Sequence, residues 1–152
     1  MEQIQDCQGS DWKPINGKCY KVVTKQQTWE QARKHCKSFD GKLAEPQSSC
    51  ESDLLHSYLK HVYTNYPKDK DNKNDNDRSS GEAFIGSHDQ LSENTFVYAS
   101  NNEPITTNLW AISEPNNHNG EEDCASLSAV YYSNGVWSDL NCDLKRWSNC
   151  EK

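Results

Sequence analysis

Between Ser113 and Cys142 the chain gathers Glu114, Asn116, Asn117, Glu121, Glu122, Asp123 and Asp139, with Pro115 near one end and Cys124 and Cys142 toward the other. Carboxylates crowded without a cation repel one another, which raises their pKa values and costs stability. Calcium takes about 6–8 oxygen ligands in a tolerant geometry. One ion would relieve that repulsion and turn binding energy into order of the loop. The stretch therefore reads as a calcium-holding loop.

The rest of the chain has to position it. With 152 residues, 33% of them hydrophobic, the sequence suits one domain with a lean core. Residues 1–6 read as a tail and residues 7–152 as the domain. Seven cysteines, Cys7, Cys19, Cys36, Cys50, Cys124, Cys142 and Cys150, include no CxxC pair, which speaks against zinc ribbons and thioredoxin-type chemistry. A small core stapled by disulfides fits an oxidising compartment, so the chain reads as secreted or extracellular, with any signal peptide already removed. No window approaches the ~18 apolar residues of a membrane span. The formal charge of −7, with no basic stripe in the sequence, argues against nucleic acid as a partner. GxSxG, HExxH and a phosphate-binding glycine loop are all missing, which leaves no sequence case for an enzyme.

Cys7 to Val23 alternates turn residues with aromatic and β-branched ones and predicts a hairpin closed by Cys7 and Cys19. Thr28 is a candidate N-cap for a helix carrying Trp29, Ala32 and Cys36 on one face, ended by Gly41. A second helix is expected from Ser48 or Ser49, with Leu54, Leu55, Tyr58, Leu59 and Val62 as its buried stripe. Tyr66 to Gly81 is a polar insertion whose DKDNKNDND run lacks the spacing of an EF-hand, and it reads as a solvated loop. GEAFIGS and NTFVYAS predict strands, Asn101 to Val136 a long loop, and GVWSDLNC and RWSNCEK the last two strands.

These pieces, in this order, resemble the C-type lectin-like domain. The resemblance rests on Cys19-Tyr20, TWEQARKHC, GKLAEP, AFIG, Trp110 before SEPNN, EEDC, VWSD and the closing Asn149-Cys150-Glu151, and it covers nearly the whole chain. It implies an α+β fold in which two helices flank two small antiparallel sheets under a long calcium-binding loop. It also implies disulfides Cys7–Cys19, Cys36–Cys150 and Cys124–Cys142, which leaves Cys50 unpaired. Cys50 is then either a free buried thiol or a bridge to a second copy. Its place near the start of the second helix favours exposure and a disulfide-linked homo-oligomer.

The resemblance further implies one to two calcium ions. The principal site would use Glu114, Asn116, Glu122, Ser138 and Asp139, and the same residues would bind carbohydrate as two vicinal hydroxyls complete the metal's shell. A second, structural ion would use Asp89, Glu93, Asn117 and Asp123 together with Glu122. The triplet Glu114-Pro115-Asn116 is the pattern associated with mannose, fucose and N-acetylglucosamine, so mannose-type glycans, on microbial surfaces for example, are the expected partners. Where the family usually has Trp-Asn-Asp, this chain has Trp137-Ser138-Asp139. Ser138 is shorter and offers one hydroxyl in place of an amide. The alternative expectation is a calcium-binding structural or interaction protein of antifreeze or mineral-associated type, on the same fold without sugar binding. His118 reads as a solvent-facing loop residue and Trp110 as packing under the loop. Asn108, Tyr131 and Tyr132 are candidate rim contacts.

Overall fold

The computed structural model describes residues 7, 12–66, 81–92, 95–105, 122–129 and 137–152. Strands β1 (Lys13–Ile15) and β2 (Lys18–Gln27) form the expected hairpin. Its two-residue turn puts Asn16 at φ +52° and Gly17 at φ +84°, the left-handed pair that matches strand twist. Helix α1 (Trp29–Ser38) starts on Thr28 through a capping box. The Gln31 N–H donates to the Thr28 hydroxyl at 3.2 Å, and the Thr28 N–H donates to the Gln31 side chain at 3.0 Å.

The end of α1 corrects the sequence reading. Asp40, not Gly41, takes the left-handed conformation, at φ +62°. The Asp40 N–H returns to Lys37 O and the Gly41 N–H to Cys36 O, both at 3.0 Å, the pattern of a Schellman cap. Gly41 answers a different need. A Cβ there would lie 2.5 Å from the Glu151 carbonyl oxygen, so the C-terminal strand passes too close for any side chain.

Strand β3 (Lys42–Leu43) follows, then helix α2 (Ser49–Asn65), capped by Ser48 through the Glu51 N–H at 3.1 Å. Leu55 and Leu59 are fully buried, and Tyr58 and Val62 are packed against the core. Each buried leucine stabilises the fold by roughly 1.5–3 kcal/mol. Leu54 departs from the predicted stripe: it is 43% exposed, on the flank of the helix beside the β1 hairpin. Strands β4 (Glu82–His88), β5 (Val97–Tyr98), β6 (Cys124–Ser128), β7 (Trp137–Leu140) and β8 (Arg146–Glu151) complete the fold. The predicted loop from Asn101 to Val136 therefore contains a strand, β6. Its sequence CASLS has no β-branched or aromatic residue to announce it, and it is buried throughout because both its edges are paired.

The sheet runs β1-β2-β8-β4-β6-β7, with β3 on β8 and β5 on β4. Two antiparallel halves are joined where β4 meets β8 in parallel, Ala83 opposite Trp147 and Phe84 opposite Ser148. One core cluster lies under α2 and holds Leu55, Leu59, Leu127, Trp137 and Trp147. The other lies under α1 and holds Trp29, Leu43, Phe84 and Leu140. Disulfides link Cys7 to Cys19, Cys36 to Cys150 and Cys124 to Cys142, and Cys50 is an exposed free thiol. The reading of Cys50 as buried is thereby excluded. No described helix is long and apolar enough to cross a membrane.

Candidate functional site

The described part of the site lies where three segments converge at one end of the β4-β6-β7 half. Glu122 and Asp123, both half-buried, lead directly into Cys124 and β6. Strand β7 pairs with β6 so that Ala125 faces Asp139 and Ser126 faces Ser138. At a strand rise of about 3.3 Å per residue, Glu122 stands roughly 10 Å along the ladder from the Asp139 level. Asp89, 3% exposed, follows β4, and its N–H donates to the Asp123 carbonyl at 3.0 Å. The Cys124–Cys142 bridge clamps this corner. Trp137, fully buried, fixes β7 from below, its Nε1–H donating to the Ser52 hydroxyl of α2 at 3.0 Å.

Asp139 and Ser138 are each 2% exposed. The Ser138 hydroxyl lies 3.0 Å from the Ser126 hydroxyl, and Ser126 also donates toward the Ser138 carbonyl at 3.3 Å. Ser138 is thus engaged across the β6–β7 pair. Beside the corner, His88 packs edge-on against Trp29 at 5.5 Å and accepts the Gln90 N–H at Nδ1, 3.2 Å. Burial lowers the His88 pKa, with Asp123 pulling the other way, so the ring is held neutral as an acceptor.

Glu93, Asn108, Trp110, Glu114, Asn116, Asn117, His118, Tyr131 and Tyr132 lie outside the described residues, as does the insertion across residues 67–80. Among the described residues, no three His, Cys, Asp or Glu side chains converge on a common metal position. Asp89, Glu122, Asp123 and Asp139 lie in the segments at this end of the sheet without converging on one point, and all are oxygen donors. That set suits a hard cation such as calcium rather than zinc or copper.

A second polar cluster went unassigned in the sequence, although its residues fall within the GKLAEP and closing Asn-Cys-Glu fragments. Glu45, 3% exposed, accepts the Ser100 N–H at 2.9 Å, the Ser100 hydroxyl at 2.7 Å and Lys42 Nζ at 3.1 Å. Its own N–H donates to Glu151 at 2.6 Å. Lys18 bridges Glu51 at 3.2 Å and Glu151 at 3.5 Å, and the Tyr20 hydroxyl donates to Glu51 at 3.0 Å. Burial pushes the Glu151 pKa up, against the Glu45 N–H and Lys18. Burial also raises Tyr20, reinforced by Glu151 and Glu51. This network ties the start of α2 to β8.

A sequence model of the Lectin C-type domain matches residues 25–152. The chain belongs to the C-type lectin family. Members of this family are carbohydrate-binding proteins rather than enzymes, and C-type lectin domains generally bind calcium. The α-N-acetylgalactosamine-specific lectin of Patiria pectinifera is 29% identical over 135 residues, covering 86% of this chain and 71% of that protein. A C-type lectin mannose-binding isoform of Oxyuranus scutellatus is 31% identical over 140 residues, covering 90% and 77%. The chain spans less than half the length of the collectins it also matches. Among solved structures, the C-type lectin CEL-I from Cucumaria echinata superposes with a TM-score of 0.76 at 21% identity, covering 96% of this chain and 97% of that one. At that identity the likeness concerns the fold alone.

Proposed function

We propose that this C-type lectin is a secreted, calcium-dependent binder of mannose-type sugars. The observation that supports the reading is the acidic pair Glu122 and Asp123 leading into β6, whose Ala125 pairs with Asp139 on β7, with Cys124–Cys142 clamping that end. Glu114, Asn116, Glu122, Ser138 and Asp139 would hold the principal ion, and Asp89, Glu93, Asn117, Asp123 and Glu122 a second. Calcium, when bound, supplies a hard cation whose open positions accept two vicinal sugar hydroxyls. The chain's own groups do the selecting: carboxylates accept from those hydroxyls, and the amide of Asn116 donates to them. The Asp89 N–H bond to the Asp123 carbonyl and the seated Trp137 support the reading by holding the backbone at Asp123 and at the start of β7.

The sequence Glu114-Pro115-Asn116 favours mannose-type sugars, and so does the likeness to the Oxyuranus relative, a mannose-binding isoform. The Patiria relative is specific for α-N-acetylgalactosamine instead. Paired columns decide between them. Retention on mannose-agarose in calcium, with release by chelator and no retention on N-acetylgalactosamine-agarose, is the expected result. Retention on mannose-agarose that is equal with and without calcium would overturn the proposal.

A second reading is favoured by one observation. The Ser138 hydroxyl is buried and engaged by Ser126, so the donor that usually serves both metal and sugar is turned elsewhere. On this reading the calcium loop remains and sugar binding is lost. A glycan array without hits in calcium, from protein that still binds calcium, would select it.

A further inference from the structure

The protein carries a net charge of −7, yet on the α1 side the fold assembles a groove with no acidic residue among the described residues of its lining. Lys25, Gln26 and Gln27 come from the end of β2, Gln31, Lys34 and His35 from α1, and Lys145 from the turn before β8. The groove is open and encloses about 600 Å³. Lys25 and Lys34 come from β2 and α1 and Lys145 from more than a hundred residues later, so the three meet only in the fold. None of the three makes an ion pair with a described carboxylate. The nearby acid Glu30 is engaged by Arg33, which holds its carboxyl below the usual range. Lys34 shares the field of Glu30 with Arg33, while Lys25 and Lys145 line the same groove; like charges gathered on one face are a cost to the fold that an anionic ligand would offset.

His35 reports the local field independently. Its Nδ1 lies 3.0 Å from the Gln27 side-chain oxygen, so in the neutral ring Nδ1 carries the proton and donates. Its pKa is lowered by burial first and then by Lys25 and Lys21, both on β2. Lys34 from α1 and Lys145 from the β7–β8 turn line the same groove, and the Phe39 ring lies 4.9 Å away on the helix side.

The lining also says which anion. Lysines are compact point charges that suit sulfate or phosphate oxygens. Glutamine amides both donate and accept, as sugar hydroxyls require. Among the described residues no Trp, Tyr or Phe lines the groove to stack bases, which disfavours single-stranded nucleic acid. Nor, among the described residues, does an apolar one line it to enter a lipid surface. Three disulfides fit an oxidising compartment, and there the common polyanions are polysaccharides. We propose that this groove binds a sulfated polysaccharide without calcium, Lys25, Lys34 and Lys145 pairing with sulfates while Gln27 and Gln31 hold neighbouring hydroxyls.

None of the lining residues belongs to the calcium corner, so chelator separates this binding from the lectin reading. The test is calorimetric titration of the full chain with dextran sulfate in chelator, with uncharged dextran as control. Dextran sulfate should bind and dextran should not, and affinity should fall as salt rises from about 50 to about 200 mM. The variant Lys25→Gln/Lys34→Gln/Lys145→Gln should lose at least about tenfold in affinity, the order set by one charge-assisted hydrogen bond. Lys13→Gln/Lys60→Gln, equal in kind but placed elsewhere on the surface, should stay within about twofold of the parent. Bound dextran sulfate should also raise the His35 pKa, followed by NMR, because it supplies the missing negative charge. The proposal is overturned if the parent chain fails to bind, if the triple variant binds as well as the parent, or if single-stranded DNA binds as tightly as dextran sulfate.

Discussion

Removing the Cys124–Cys142 bridge should cost stability and, separately, calcium response. The bridge closes 18 residues. On the chain-entropy relation a loop of that length contributes about 3 kcal/mol. Cys7–Cys19, which closes 12, comes to nearly the same, about 3 kcal/mol. The two bridges are thus matched in what they restrain in the unfolded chain but not in what they hold in the folded one. Only Cys124–Cys142 fixes Glu122 and Asp123 against β7. Urea unfolding of Cys124→Ala/Cys142→Ala and of Cys7→Ala/Cys19→Ala, each in chelator, should show similar losses. Calcium at about 100 times its dissociation constant should then add about 2.7 kcal/mol to the parent and to the Cys7–Cys19 variant. It should add markedly less to the Cys124–Cys142 variant. Equal calcium increments in the two variants would refute the argument that this bridge organises the metal corner.

Other outcomes follow from particular contacts. Gly41→Ala should lose more than about 1 kcal/mol by thermal or urea unfolding, because its Cβ would meet the Glu151 carbonyl; an unchanged midpoint would show that β8 yields at no cost. Glu151 has its pKa raised by burial. Such a group adds stability below its unfolded value, about 4.3, and that contribution is lost as pH rises through the folded value. The midpoint of Glu151→Gln minus that of the parent should therefore increase between pH of about 4 and about 7 in chelator, and a decrease would contradict the assignment. Cys50 is exposed, so non-reducing electrophoresis should show a covalent dimer that Cys50→Ser abolishes. A dimer that persists in that variant would remove Cys50 from the interface.

Local chemistry made much of this fold legible. Thr28 and Ser48 announce their helices because a hydroxyl followed by a helical apolar stripe has few other uses, and Leu55 and Leu59 land in the core as their spacing requires. The readings that failed are those decided by neighbours distant in sequence. Gly41 looked like a helix stop, but its smallness answers to Glu151 on β8. Leu54 fits the stripe by period yet faces out, because the β1 hairpin leaves that flank uncovered. Strand β6 is hidden because its small residues suit a position paired on both edges, whereas isolated strands are recognised by bulk. The acidic corner could be read from composition, since carboxylates next to cysteines need an explanation wherever they occur. Neither the Glu45–Glu151–Lys18 network nor the lysine groove could be read that way, because both exist only after remote strands are brought together.

The central claim is that a calcium ion held by Glu114, Asn116, Glu122 and Asp139 has its coordination completed by a sugar. Calorimetric titration of mannose into the calcium-loaded chain, repeated in chelator, tests it most directly. The account predicts saturable heat with calcium and none without. Identical heats in the two titrations, or none in either from protein that has taken up calcium, would contradict it.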